Sequence, residues 1–124
     1  MNVVDSSGWI EYLAGGGNAS FFRRAIEGDE PLLVPSLILF GVYRHTLRHL
    51  GREEALSIVA AMRRGDIIDL DDQTALEAAE LSVETKLALA DSIILATARA
   101  HDAELWTQDA AFEGMEGVRY RAKK

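Results

Sequence analysis

Three aspartates stand where a phosphate-cleaving site would need them. Asp5 ends the apolar opening Val3-Val4-Asp5, Asp91 opens the run Asp91-Ser92-Ile93-Ile94-Leu95-Ala96, and Asp109 closes Leu105-Trp106-Thr107-Gln108-Asp109. Each falls at a predicted strand end or helix start, the edge at which open α/β sheets gather their ligands. Clustered carboxylates repel one another unless a cation neutralises them, and an all-oxygen set favours Mg²⁺ or Mn²⁺ over zinc. Such an ion lowers the pKa of bound water and stabilises the extra charge on a phosphoryl group under attack. The pattern therefore points to metal-dependent hydrolysis of a phosphodiester. With 20 acidic residues in the chain, most are simply solvated. Asp29, Glu30, Glu53, Glu54, Asp71 and Asp72 read as caps and surface charge, and Asp5 alone reads equally well as a helix cap. The three acids taken together carry the argument.

The elements that must position them follow from periodicity and punctuation. Val3-Val4 is a short strand, and Ser6-Ser7 start a helix through Trp9, Ile10, Tyr12 and Leu13 that ends at Gly15-Gly16-Gly17. Asn18 is placed to cap a second helix over Ala19 to Glu27. Leu32-Leu33-Val34 is a second strand, and Pro35-Ser36 begin a long helix to about Leu50, stopped by Gly51. A helix from Glu53 to Arg64 is expected to bury Leu56, Val59, Ala60 and the stem of Arg63. Ile67-Ile68-Asp69-Leu70 is a third strand, and Asp71-Asp72 cap a helix carrying Leu76, Ala79, Glu80 and Val83. Leu89 to Ala100 is a small-residue apolar helix suited to packing on a sheet. Glu104-Leu105-Trp106-Thr107 is a fourth strand and Val118-Arg119-Tyr120 a fifth at the edge. Short strands alternating with helices imply βαβ units: an α/β fold with a parallel sheet of four to five short strands and helices on both faces. In a parallel sheet all C-terminal strand ends share one edge, so Asp5 and Asp109 should meet there. Asp91 reaches that edge from the first turn of its helix.

Length and composition bound the rest. At 124 residues the chain reads as one domain able to bury a real core. Without cysteine it has neither disulfides nor thiolate metal sites, which fits a reducing cytoplasm. No stretch approaches a membrane span, and the start Met1-Asn2-Val3-Val4-Asp5 lacks the features of a signal peptide. The net charge of −7 argues against attraction of nucleic acid by the whole surface but leaves room for a local basic patch.

Four segments together resemble a known family. Val3-Val4-Asp5-Ser6-Ser7, Pro35-Ser36-Leu37-Ile38-Leu39-Phe40, Leu89-Ala90-Asp91-Ser92-Ile93-Ile94-Leu95-Ala96 and Leu105-Trp106-Thr107-Gln108-Asp109-Ala110-Ala111-Phe112 look like the successive motifs of PIN domains, in order and over essentially the whole chain. The closest resemblance is to the VapC-type toxins of bacterial toxin–antitoxin pairs. It implies a Rossmann-like parallel sheet, Mg²⁺- or Mn²⁺-dependent endoribonuclease activity, homodimers, and neutralisation by a cognate antitoxin. By position, Asp5, Asp91 and Asp109 match the family's metal-binding and catalytic acids, Thr107 matches its hydroxyl residue two before the last acid, and Ser6 would assist through a hydrogen bond or a bound water. RNA as substrate comes from the resemblance; the residues themselves say only phosphate.

The same family places a glutamate where this chain has Gly41. A glycine inside a helix costs about 1 kcal/mol relative to alanine, and no turn signal stands beside it. Leu37, Ile38, Arg44 and His45, its neighbours at three and four residues, offer no substitute carboxylate. Two readings are open. Either the glycine admits close helix packing, or it marks a chain that keeps fold and partner surfaces while cutting RNA poorly or not at all.

Other features weigh less. Arg44, Arg48 and Arg52 recur at fourfold spacing, suited to phosphate contacts or to a solvated face. His45 and His49 lack the glutamate of a zinc-protease motif, and Gly15-Gly16-Gly17 lacks the lysine of a phosphate-binding loop. Trp9, Tyr12 and Leu13 would line a groove for a partner helix or pack in the core. Two rivals to a ribonuclease follow: a catalytically silent module whose acidic edge receives an arginine of a basic antitoxin, and a phospho-accepting receiver-like domain. The second needs paired acids after the first strand and a late lysine, where Ser6 and Gln108-Asp109 stand instead.

Overall fold

A computed structural model describes all residues, Met1–Lys124. Five strands, β1 (Asn2–Val4), β2 (Leu32–Pro35), β3 (Asp66–Ile68), β4 (Glu104–Thr107) and β5 (Val118–Tyr120), form one sheet in the order β3-β2-β1-β4-β5. Every pairing is parallel, with Val3 opposite Leu33 on one side and Leu105 on the other. The helices between them are α1 (Ser6–Ala14), α2 (Ala19–Ile26), α3 (Ser36–Leu50), α4 (Arg52–Met62), α5 (Asp72–Thr85) and α6 (Leu89–Ala100). A 3₁₀ turn over Ala110–Phe112 leads to β5.

The order of the strands decides where a ligand can sit. From β1 the chain steps to β2 and β3 in one direction, then returns past β1 to β4. Right-handed crossovers then put α1–α4 on one face and α5–α6 on the other. The reversal leaves a crevice at the carboxyl ends of β1 and β4. Asp5 and Asp109 follow those two strands.

The core is a cluster of 22 buried residues on both faces of the sheet, with Val3, Val4, Val34 and Leu105 at its centre and Phe22, Ile38, Leu95 and Phe112 packed over them. The three central strands β1, β2 and β4 are buried on both faces, which is why they read as apolar runs, while the edge strands β3 and β5 are largely exposed. Glycine is required at Gly8 on α1, where an added Cβ would lie 2.6 Å from the Phe22 ring and 2.7 Å from Val4 Cγ1. Gly15 ends α1 in the left-handed conformation (φ 67°).

Element identities agree with the sequence reading and boundaries move by one or two residues, with local corrections. Asn18 does not cap α2 through its side chain; it is buried and donates to Gln108 Oε1 (3.0 Å) and to the carbonyl of Ala122 (2.9 Å). On α4 the inward residues are Ala55, Val59 and Met62, while Leu56 is 46% exposed and Ala60 and Arg63 face solvent. The α3–α4 contact takes the small Ala55, so the buried stripe is centred one position from the bulkiest residues. The third strand begins at Asp66 and ends at Ile68, short of Leu70. On α5, Thr74, Ala78 and Leu81 face inward, leaving Leu76 and Val83 outside. No helix is long and apolar enough to cross a membrane.

Candidate active site

Asp5 is the anchor of the strand-end crevice. It is buried, and its side chain caps α1: Oδ1 accepts from the Gly8 amide (2.9 Å) and from Ser7 Oγ (2.9 Å). Oδ2 accepts from Thr107 Oγ1 across the β1–β4 pairing at 2.6 Å. Thr107 Oγ1 in turn accepts from the Asp109 amide at 3.0 Å. One hydroxyl therefore ties two acids of adjacent strands together. Asp109 caps the turn that follows, its Oδ1 accepting from the Ala111 amide at 3.0 Å. Behind it, buried Gln108 is held by Asn18, and the fully buried Phe112 anchors the turn.

Asp91 comes from the other face. It lies in the first turn of α6, half-buried, where the helix N-terminus favours negative charge. The three acids feel one another. Burial, then the charges of Asp109 and Asp5, push the Asp91 carboxyl above its ordinary value. Burial likewise raises Asp5, outweighing the opposing bonds from Thr107, Gly8 and Ser7, and the Asp109 charge adds to the rise. No basic side chain pairs with any of them; the ion pairs of the molecule are Met1–Glu30, Arg23–Glu27 and Arg119–Glu104.

Such a set has the chemistry of a hard-cation site: oxygen donors only, mutual repulsion and no internal counter-charge. Its geometry is open, since no three acidic or histidine side chains converge closely enough to share one ion. Asp5 has one oxygen committed to two donors and the other to one, leaving it a single lone pair for further coordination.

Gly41 lies on α3 against the start of α1. A Cβ added there would stand 2.6 Å from Ser6 Oγ and 3.3 Å from Ser6 Cβ. Position 41 thus faces Ser6, the residue next to Asp5. The Ser6 hydroxyl now occupies that space. Glycine here admits the close approach of α1 and α3, as the packing reading of this position expects. A longer side chain requires the Ser6 hydroxyl to rotate away.

The structure brings Asp5, Thr107 and Asp109 together by hydrogen bonds; Asp91, placed by the start of α6, lies within range of the charges of both acids, and Gly41 stands against Ser6, the neighbour of Asp5. Sequence reasoning missed the supporting pair Asn18 and Gln108, whose contact spans 90 positions and has no local signature. His45 and His49 stack on one another on α3 with ring centroids 4.2 Å apart, away from any carboxylate ligand.

Several solved structures share this fold. A toxin–antitoxin complex from Klebsiella pneumoniae superposes with a TM-score of 0.83 at 24% identity, covering 100% of both chains. Mycobacterium tuberculosis VapC20, described as a Sarcin-Ricin loop cleaving toxin, gives 0.75 at 21% identity over 96% of this chain and 99% of its own. VapBC2 from Rickettsia felis, bound to a DNA fragment from its promoter, gives 0.76 at 14% identity over 99% and 98%. No curated protein matches the chain in sequence. The PIN-domain family model matches residues 3–118, from β1 to the first residue of β5. The chain belongs to the PIN-domain family.

Proposed function

We propose that this protein is the toxin of a VapC-type toxin–antitoxin pair, a single-domain endoribonuclease of the cytoplasm whose hydrolytic site is formed by Asp5, Asp91 and Asp109. Gly41 weakens or silences it. The observation that carries this reading is the placement of three mutually repelling carboxylates at the β1–β4 switch point, with position 41 opening onto the same spot. Asp5, Asp91 and Asp109 would have to draw closer than they stand here to hold a Mg²⁺ or Mn²⁺ ion, which when bound would supply charge neutralisation at the phosphate and a more acidic water. Thr107 fixes the orientation of Asp5 and the backbone of Asp109, so neither acid must reorganise as negative charge develops. The remaining lone pair of Asp5 and the carboxyl of Asp91, which has no side-chain partner, would serve as acceptors for an attacking water. A glutamate at position 41 would add a fourth.

The partner reading rests on the toxin–antitoxin neighbours and on a separate feature. Trp9, Tyr12 and Leu13 line a cleft of about 400 Å³ with Ile26, Leu32 and Arg64. Its lining is mainly apolar, the kind of groove that receives the apolar face of an antitoxin helix. Leu76 and Val83, 66% and 81% exposed on α5, favour self-association into a homodimer.

A second reading, a silent binding module that engages an antitoxin without cutting RNA, is favoured by Gly41 and by the absence of a converged three-acid cage. Cleavage of a mixed RNA pool with Mn²⁺ decides. The Gly41→Glu chain should cut at least about tenfold faster than the present one, in line with the loss expected when a metal site lacks a supporting group. Asp5→Ala in that background should abolish the gain. If the restored chain is inert and Mn²⁺ shifts neither protein's thermal midpoint, the silent module is the right reading.

A further inference from the structure

The chain carries no carboxylate between Glu30 and Glu53, yet this stretch holds Arg44, His45, Arg48, His49 and Arg52. In a protein of net charge −7 that is a strong local segregation of charge. None of these three arginines is in an ion pair. From Arg44 to Leu50 only Thr46 is buried, so the last two turns of α3 stand out from the body. Helical spacing puts Leu37, Gly41, Arg44 and Arg48 on one side. Gly41 is pinned against Ser6, the neighbour of Asp5, so that side begins at the acids. Arg44 lies one turn beyond Gly41, and Arg48 follows after about 6 Å of helix rise. Phe40, 59% exposed, stands beside Arg44.

We propose that this side of α3, from Gly41 past Phe40 to Arg44 and Arg48, is the track on which a single-stranded RNA is held as it enters the acidic crevice. The inference rests on the ribonuclease reading above and names the residues that bring substrate to that site. An acidic crevice repels a polyanion, so a cationic wall adjoining it supplies the attraction the rest of the surface lacks. The cations are all arginine, whose fork matches phosphate oxygens in a way a lysine ammonium does not. Phe40 offers a flat face for an unstacked base, which ties the track to single strands.

The test is fluorescence anisotropy of a short labelled oligouridylate in EDTA, where binding is read without divalent-dependent cleavage. The present chain should bind. Arg44→Ala/Arg48→Ala should weaken binding at least about tenfold and lower the log–log salt slope by about 1.4, or about 0.7 per lost phosphate contact. Phe40→Ala should weaken it about tenfold with the slope unchanged. Arg44→Lys/Arg48→Lys should keep the slope, and Arg23→Ala/Arg24→Ala on α2 should stay within about twofold of the parent. Binding that is absent, or that both double-alanine variants weaken equally, overturns the track. So does a double variant that changes the oligomeric state and leaves RNA affinity intact, which would assign α3 to a protein partner. The two readings fail separately. If RNA binds along α3 but the Gly41→Glu chain cuts nothing, the nuclease reading falls. If that chain cuts and Arg44 and Arg48 prove irrelevant, only the track falls.

Discussion

The two walls of the crevice are built differently. On the sheet side, Asp5 and Asp109 leave adjacent parallel strands, share the Thr107 hydroxyl, and each caps the turn or helix that follows. On the helix side, the Asp91 carboxyl accepts no hydrogen bond and Gly41 contributes no side chain at all; their positions depend on how α6 and α3 pack. The sheet wall is specified by backbone pairing and cannot shift without breaking the core. The helix wall is held by side-chain contacts and tolerates change. Position 41 on it carries a glycine, and the fold is complete without a side chain there.

The sharpest break of this contrast is Thr107→Val. It leaves an Asp5 lone pair and the Asp109 amide without partners in a buried place, and should cost about 2–3 kcal/mol by chemical denaturation, since bonds to charged groups are worth about 1.5–3 kcal/mol. Thr107→Ser should recover most of that. A loss under about 0.5 kcal/mol, within the range of surface changes, would mean that the sheet wall is not held by this hydroxyl.

Asp5→Asn sharpens the comparison from the charge side. Burial raises the folded carboxyl above its ordinary value of 3.8, so the native state is penalised once the pH exceeds that value. The penalty grows until the pH passes the raised folded value and is then constant. The asparagine variant should therefore melt higher than its parent at pH 7 without divalent ions, and the advantage should vanish as the pH falls below about 3.8. A lower midpoint at pH 7 would show that the three donors outweigh burial.

On the helix wall, a double-mutant cycle isolates one contact. Gly41→Ala should gain less than the about 1 kcal/mol that alanine offers in a helix, because its Cβ meets Ser6 Oγ. In a Ser6→Ala background the gain should rise by about 0.5 kcal/mol or more, the coupling expected of touching residues. Additive effects would place the two residues apart. The smallest effect belongs outside both walls: Leu76→Gln on α5 should change stability by less than about 0.5 kcal/mol, and a larger loss in the isolated chain would put that face in the core.

The sequence determined the elements and their kind. Periodicity, caps and glycines are local, and Leu89–Ala100, Glu104–Thr107 and Val118–Tyr120 fall where they were read because their signals lie within a few residues of the ends. It also marked the acids, since strand ends in a parallel sheet share one edge whatever the details. What it left open was decided by packing between distant segments. The α4 stripe turned toward Ala55 because α3 set the contact, and Asn18 served Gln108 and Ala122 instead of its own helix. The coupling of Gly41 to Ser6 likewise exists only because α1 and α3 cross. Those choices depend on which surfaces meet between elements, from the consecutive helices α3 and α4 to the Asn18–Ala122 contact 104 positions apart, and no local signal encodes them.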